Sequence, residues 1–390
     1  MDLLRLIFVI FLLSPAFGID AQAATTAQIS LEEFAKKAQF LDIKISPDGK
    51  YIAATSREDS GSVFLTVIEM KTNKVVSNQY FRGKDTIGGF FWVNNERILI
   101  QVARMIGELE MPSYAGELFA VNADGSKPIT LTGPRAKNAE YVFSTVAHLL
   151  PDDDEYILIN SSPYNKNSPY MHLRKLNVYN GRVTPLTKMP IKSTLENSAT
   201  LILDNNGVAR MAIGLNPEND QELLLVHRKS EEDEWQQLAK ADINGRYFTP
   251  YAFLADNKTI VGVSNTETET AAITLYNTDT HKQEIIAQHP KVDLSPVLNI
   301  VKGVPADVIG AAYSYDTNEA IIFDDAVDEF SMLVRSMQKT FPSKVVNVTS
   351  MTKDGKVIVL AVSDQDSGTD FYIYNKNDKK LAHLLNTTPW

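Results

Sequence analysis

"LFAVNADGSK", Leu118 to Lys127, sets an apolar run, one polar residue and a turn side by side. The same order recurs in "LTVIEMKTNK", "RKLNVYNGR", "LLLVHRKSEED", "ITLYNTDTHK", "AIIFDDA" and "FYIYNKNDKK". Anchored on the polar residue that ends each run, the copies fall at Glu69, Asn122, Asn177, His227, Asn277, Asp324 and Asn375, with spacings of 53, 55, 50, 50, 47 and 51 residues. A period that steady marks a repeat architecture, in which each unit buries its apolar faces only against its neighbours.

A second marker lies upstream of most anchors, a turn followed by an apolar strand. It reads "SPDGKYIAATS", "VNNERILIQV", "PDDDEYILINS", "DNNGVARMAIG", "ADNKTIVGVS" and "KDGKVIVLAVS" in six of the units. Each unit therefore holds about four short strands in about 50 residues, the size of a propeller blade. The expected fold is all-β, a seven-bladed β-propeller of four-stranded antiparallel blades, closed so that few strand edges are left to pair with other chains. Apolar and polar residues alternate poorly along the runs because inner blade strands are covered on both faces. Two helices are expected beside the strands. Ser30 and Glu33 form a capping box before "LEEFAKKAQF", a short N-terminal helix. In the sixth unit Val327, Phe330, Val334, Met337 and Phe341 stand at helical spacing, which predicts a helical insertion whose apolar stripe packs locally.

The N-terminus carries a targeting signal. "MDLLRLIFVIFLLSPAFGIDAQA" has Arg5 in a short leading region, an apolar stretch from Leu6 to Leu13 and Ala21-Gln22-Ala23 as a cleavage site, which predicts a secretory signal peptide over residues 1–23. The apolar stretch falls short of the roughly 18 to 20 residues of a spanning helix. The mature chain is expected to be periplasmic or secreted, with no membrane span. An N-terminal helix and linker follow over 24–41, and the propeller over 42–390. A formal charge of −10 and a scatter of 38 basic among 48 acidic residues argue against a nucleic-acid surface, which needs clustered Lys and Arg. The chain has no cysteine, so thiol nucleophiles, disulfides and cysteine-ligated metals are excluded, and core burial alone supplies stability.

No chemical constellation stands out. The six histidines, His148, His172, His227, His281, His289 and His383, show no H-E-x-x-H or other close metal spacing. "DDDE", Asp152 to Glu155, reads as a solvated turn between strands. "DQDSGTD", Asp364 to Asp370, misplaces the glycine of a calcium loop and has Asn375 where the bidentate Glu belongs. The G-x-S-x-G turn that exposes a hydrolase serine is absent, since "DSGSV" and "ADGSKP" lack its flanking glycines. No catalytic, cofactor-binding or metal-binding residue is assigned, and no cofactor is expected. One long loop, "ARMIGELEMPSYAGEL" from Ala103 to Leu118, exceeds the needs of a hairpin and is able to project into a cavity.

The segment "FAKKAQFLDIKISPDGKYIAA", the "LFAVNADGSKPITL" strand and turn, and the tail from Ile321 to Trp390, with its helix-bearing unit and its Pro-Trp ending, carry a resemblance. Over nearly all of residues 31–390 the chain resembles the propeller of prolyl oligopeptidase family serine peptidases, in the acylaminoacyl-peptidase-like and dipeptidyl-peptidase-like branch. The short pieces are shared by many propellers; the tail is more specific. The resemblance implies a gating and substrate-selecting ring for peptides, followed in the family by an α/β-hydrolase domain with a Ser-Asp-His triad. The family's junction falls just after a segment like "LLNTTPW", so this chain is expected to end at it, without the hydrolase and inactive alone. Charged propeller residues in the family hold the substrate's amino terminus, which makes Arg104, Glu108 and Glu110 candidate contacts, against the alternative of a plain surface loop. A ring that docks a hydrolase should expose an apolar patch near its chain ends. A free-standing propeller binding a protein, peptide or glycan is the competing reading, and it should lack that patch.

Overall fold

The computed structural model describes residues 37–107, 111–164, 170–193, 199–301, 304–364 and 368–388. From Ala38 onward they belong to one compact unit built of seven antiparallel sheets. Blade one is β1 (Phe40–Ile45), β2 (Tyr51–Arg57), β3 (Val63–Glu69) and β4 (Lys74–Gln79); blade two is β5 (Asp85–Trp92), β6 (Arg97–Arg104), β7 (Ser113–Asn122) and β8 (Ile129–Thr130). Blade three follows as β9 (Val142–His148), β10 (Tyr156–Pro163), β11 (His172–Asn177) and β12 (Val183–Lys188), and blade four as β13 (Thr200–Leu203), β14 (Ala209–Asn216), β15 (Asn219–His227) and β16 (Gln236–Asp242). Blade five is β17 (Phe248–Phe253), β18 (Thr259–Ser264), β19 (Ala272–Asn277) and β20 (Gln283–Ala287). Blade six is β21 (Ser295–Val301), β22 (Val304–Ser314) and β23 (Asn318–Ile322); blade seven is β24 (Val345–Met351), β25 (Val357–Ser363), β26 (Thr369–Asn375) and β27 (Lys380–Asn386).

The repeat has a local cause. In six blades the anchor residue is the last of the third strand, and its side chain often builds the next turn. Asn177 Oδ1 accepts from Tyr179 N and Asn180 N, and Asn277 Oδ1 from Asp279 N and Thr280 N. A short amide placed there replaces the strand partner its neighbours have just lost. The turns between first and second strands work alike. Asp48, Asn94, Asp153, Asp204, Asp256 and Asp354 each accept from a backbone N–H two residues on.

First strands line the axis, because they meet the first strands of neighbouring blades. Lys44 Nζ donates to Phe90 O at 2.9 Å and Trp92 Nε1 to Lys44 O at 3.2 Å, joining β1 to β5. The ring closes between blades seven and one, where Thr349 Oγ1 donates to Ile43 O at 2.8 Å and Ile45 N to Ser350 Oγ at 2.9 Å. Ile43, Ile45, Ile52, Val359 and Phe371 form the apolar seam beneath those bonds. Similar clusters fill the other blade boundaries, among them Leu99, Leu118, Ile157, Ile159 and Leu176 between blades two and three. Each such side chain contributes roughly 1.5–3 kcal/mol by leaving water.

Blade six departs from expectation. It has three strands among the described residues, and α1 (Glu329–Thr340) follows the third, where a fourth strand stands elsewhere. The helix is therefore no insertion into a four-stranded blade. It covers the edge that β23 would leave bare, with Gln338 Nε2 donating to Ala320 O at 2.7 Å and Arg335 Nη2 to Phe323 O at 2.6 Å. Val334 and Met337 of the sequence stripe are buried, whereas Val327 lies before the helix and is exposed. The signal peptide and most of the expected N-terminal helix fall outside the described residues. The last four residues of "LEEFAKKAQF" are not helical, and Phe40 already begins β1. Pro389-Trp390 also falls outside. No helix among the described residues is long and apolar enough to cross a membrane.

Candidate functional site

The strand order gives the ring two unlike faces. Turns between first and second strands share one face. Links between blades and turns between second and third strands share the other, and both ends of the described unit leave from this link face, tied by Gln39 N donating to Thr387 O at 2.8 Å.

At blade two the link face carries a charge cluster. Asp85 opens the inner strand β5, Arg104 ends β6, Glu117 lies in β7, and Arg135 follows β8. Arg104 Nε donates to Asp85 Oδ1 at 2.9 Å. Arg135 bridges both acids, pairing with Asp85 Oδ2 through Nη1 and donating to Glu117 Oε2 from Nε at 2.8 Å and from Nη2 at 2.7 Å. The two carboxylates are buried and the two guanidinium groups stand half exposed. Burial pushes the Asp85 carboxyl up, but the hydrogen bonds and charges of Arg104 and Arg135 outweigh it and hold the group below its usual range. Burial likewise works against the Arg135 charge, and Glu117 and Asp85 reverse that, raising its pKa. The Tyr164 phenol is raised by burial first and by Glu117 second, so it stays protonated and donates to Ala115 O at 3.2 Å.

Glycines make this arrangement possible. Tyr114 lies against Gly88 of β5, donating to its carbonyl at 3.2 Å, and a Cβ on Gly88 would come within 2.6 Å of the ring. Gly116 has φ +71°, and a Cβ there would meet Phe143 at 2.5 Å. Around the cluster the link face exposes Tyr80, Ile106, Met111, Tyr114, Tyr141 and Tyr164, with Tyr141 77% and Met111 83% exposed. Across the ring Tyr315 is exposed beside His289, whose ring stacks on Tyr313 at 5.4 Å. Tyrosine, arginine and methionine are the residues that anchor interfaces, so the face reads as a recognition surface.

Arg104, a sequence candidate, is therefore placed in the cluster, while Glu108 and Glu110 lie outside the described residues. Asp85, Glu117 and Arg135 escaped sequence reading because strands and loops 18 to 50 positions apart assemble them. The one visible signal is a charge inside the apolar run "AGELFAV". The histidines stay dispersed apart from His227 and His281, which are close enough to interact electrostatically. Among the described residues no group of three or more His, Asp or Glu is placed to hold a metal ion. The Asp152–Glu155 stretch is a turn, as read, with Asp153 Oδ1 accepting from Glu155 N and Tyr156 N.

No protein-family model matches the chain, and no curated protein matches it. Solved structures do. One, from a structural and mechanistic analysis of two prolyl endopeptidases, has a TM-score of 0.54 at 10% identity, over 90% of this chain and 50% of its own. Prolyl oligopeptidase B from Galerina marginata gives 0.52 at 9%, over 91% and 52%. A puromycin-hydrolysing peptidase from Mycobacterium tuberculosis gives 0.51 at 9%, over 90% and 54%. The chain thus spans about half the length of these structures, and at such identity the likeness establishes a shared fold.

Proposed function

We propose that this chain is the non-catalytic propeller of a serine peptidase of the prolyl oligopeptidase type, exported from the cytoplasm, which selects peptides for a hydrolase domain docked on its link face. The observation that carries the reading is the coverage: nine-tenths of this chain corresponds to only half of each peptidase structure. The link face supports it, since both ends of the described unit leave there, tied at Gln39 and Thr387, and the same face exposes tyrosines and a methionine. The Asp85–Arg104–Glu117–Arg135 cluster supplies hydrogen-bond donors and fixed charge but no activated nucleophile, so its role is to hold a peptide or the partner domain rather than to cleave. Export rests on the signal-like N-terminus, and the acylaminoacyl-peptidase-like branch rests on the tail.

An immunoblot of native periplasmic and secreted fractions, run beside the recombinant 390-residue chain and overlaid with a fluorophosphonate label, tests the reading. A labelled species is expected, either as one band heavier by a hydrolase domain of roughly 250 residues or as a separate hydrolase that co-purifies. An unlabelled band near 43.4 kDa that brings down no labelled partner would reject it in favour of a free-standing binding propeller.

A further inference from the structure

A pocket of about 180 Å3 opens on the turn face where blades three and four meet. Its floor is apolar: Leu158 and Leu173 of blade three are 3% and 1% exposed, and Ala209 of blade four 1%. Leu150 and Leu186, also of blade three, stand at its wall. The turns are bent to form it. Leu150 holds φ +51°, a left-handed value that costs an L-residue energy, and Gly207 holds φ +82°, where a Cβ would stand 2.7 Å from Leu158 Cδ1. Buried Arg228 fixes the frame. It donates from Nε to Ala209 O at 2.7 Å, from Nη1 to Glu231 O at 3.0 Å and from Nη2 to Thr187 Oγ1 at 3.0 Å, three residues that line the pocket from both blades. The rim carries one charge of each sign, Lys175 on blade three and Glu231 on blade four. Lys175 Nζ lies 3.0 Å from Asp153 Oδ2, which leaves the ammonium donors to spare, and among the described residues the exposed Glu231 carboxylate has no partner.

We propose that this pocket binds a free apolar α-amino acid, its side chain over Leu158, Leu173 and Ala209, its carboxylate at Lys175 and its ammonium at Glu231. Size and charge select that class. A leucine-lined cavity of roughly 150 Å3 takes up benzene, so this one has room for a leucine or phenylalanine side chain. A plain hydrocarbon would leave both rim charges without a partner. An internal peptide residue would bring neither charge, whereas a zwitterion brings one for each side of the rim. Peptide hydrolysis releases amino acids of this kind, so the site would register product on the face away from the hydrolase; that role rests on the function proposed above, and the binding does not.

An NMR titration of the recombinant chain, isotope-labelled in its leucine and valine methyls, with L-leucine tests the site. Methyl shifts are expected at Leu150, Leu158, Leu173, Leu186 and Val208, all on the pocket. L-Alanine should bind roughly fiftyfold more weakly, at about fourfold for each side-chain carbon left out. N-Acetyl-L-leucine and L-leucinamide, each lacking one charge, should lose about tenfold or more. Glu231→Gln, at an exposed position, should weaken L-leucine about tenfold and leave N-acetyl-L-leucine unchanged, because that ligand has no ammonium for the carboxylate to hold. Equal losses for the two ligands in Glu231→Gln would overturn the proposal, as would methyl shifts that fall elsewhere or fail to appear. No hydrolase enters these readouts, so the fluorophosphonate result and this one fail independently.

Discussion

Arg97 is the largest fully buried side chain among the described residues and shows how charge is absorbed into this fold. Its guanidinium donates to Val178 O at 3.0 and 2.8 Å, Asn122 Oδ1 at 3.0 Å and Lys127 O at 2.8 Å, and lies 4.9 Å from the Tyr179 ring centroid, pinning blade two to blade three. Arg97→Met keeps the apolar stem but strands two buried acceptors, Val178 O and Asn122 Oδ1, and the part-buried Lys127 O, a loss of about 3 kcal/mol. The urea midpoint should fall accordingly, while Arg104→Met, half exposed, should move it by less than about 1 kcal/mol. Equal shifts would mean that Arg97 pins nothing. His227 gives a pH test. It is buried with Nε2 unpartnered, and burial, then Arg210, His281 and Lys229, lower its pKa from 6.5 to about 4 against the weaker pull of Asp279. The folded state thus prefers the neutral ring. Its contribution is intact above pH 6.5, drains away as the pH falls from 6.5 to 4, and is flat below. About 2.5 pH units at 1.36 kcal/mol each is roughly 3 kcal/mol. Subtracting the stability of His227→Gln from wild type at pH 7, 5.5 and 4.5 should reveal that slope; a constant difference would show that His227 does not titrate with folding. Neither residue announces itself in "ERILIQ" or "LLVHRK", because what makes them matter lies on other strands.

Among elements, the ones whose cause is local were the legible ones. Polar residues close six of the seven third strands, four of them asparagines, and Asn177 and Asn277 build the turns that follow, so a period written in single residues marks the units. The helical stripe was legible for the same reason, through i and i+4 spacing. Its setting was not, because whether a helix supplements a fourth strand or stands in for one depends on the bare edge of β23, a property of the neighbouring element. Of the cluster at Asp85 only Arg104 and the charge within "AGELFAV" are legible, because the rest is assembled across β5, β7 and the loop after β8. α1 also yields an expectation. Asp328 caps it, accepting from Phe330 N at 3.0 Å and Ser331 N at 3.1 Å, and receives Asn299 Nδ2 at 3.0 Å. Burial raises this carboxyl, and the bonds from Ser331 and Phe330 more than offset it, leaving the pKa lowered. Asp328→Ala should cost about 1–2 kcal/mol near neutral pH, and the deficit should shrink as acid protonates the wild-type cap. Thermal melts of both chains at pH 7 and pH 3 measure it, and a deficit that persists undiminished at pH 3 would assign the effect to packing instead.

For the molecule as a whole, the ring is a chain of packed blades whose two ends meet, and its stability depends on that meeting. Six boundaries lie between blades consecutive in sequence. The seventh joins β1 to β24 across some 300 residues, so its contacts repay a large loop-closure entropy and form only when the rest of the ring is in place. Ile43, 2% exposed at that boundary, offers the decisive substitution. Ile43→Ala should cost about 2–4 kcal/mol, transfer plus cavity, as at any core position. What distinguishes a closed ring is where the loss is felt. In an open stack of repeats, weakening the end contact frays the terminal blades alone. In a ring held shut by this seam, the amides of blades three to five, far from Ile43, should lose protection together with those of β1 and β24, since opening the seam exposes both edges of the array at once. Native-state hydrogen exchange on wild type and Ile43→Ala separates the cases: a uniform drop across all blades is the expected outcome, and a drop confined to blades one and seven would show that the fold stands without its closure.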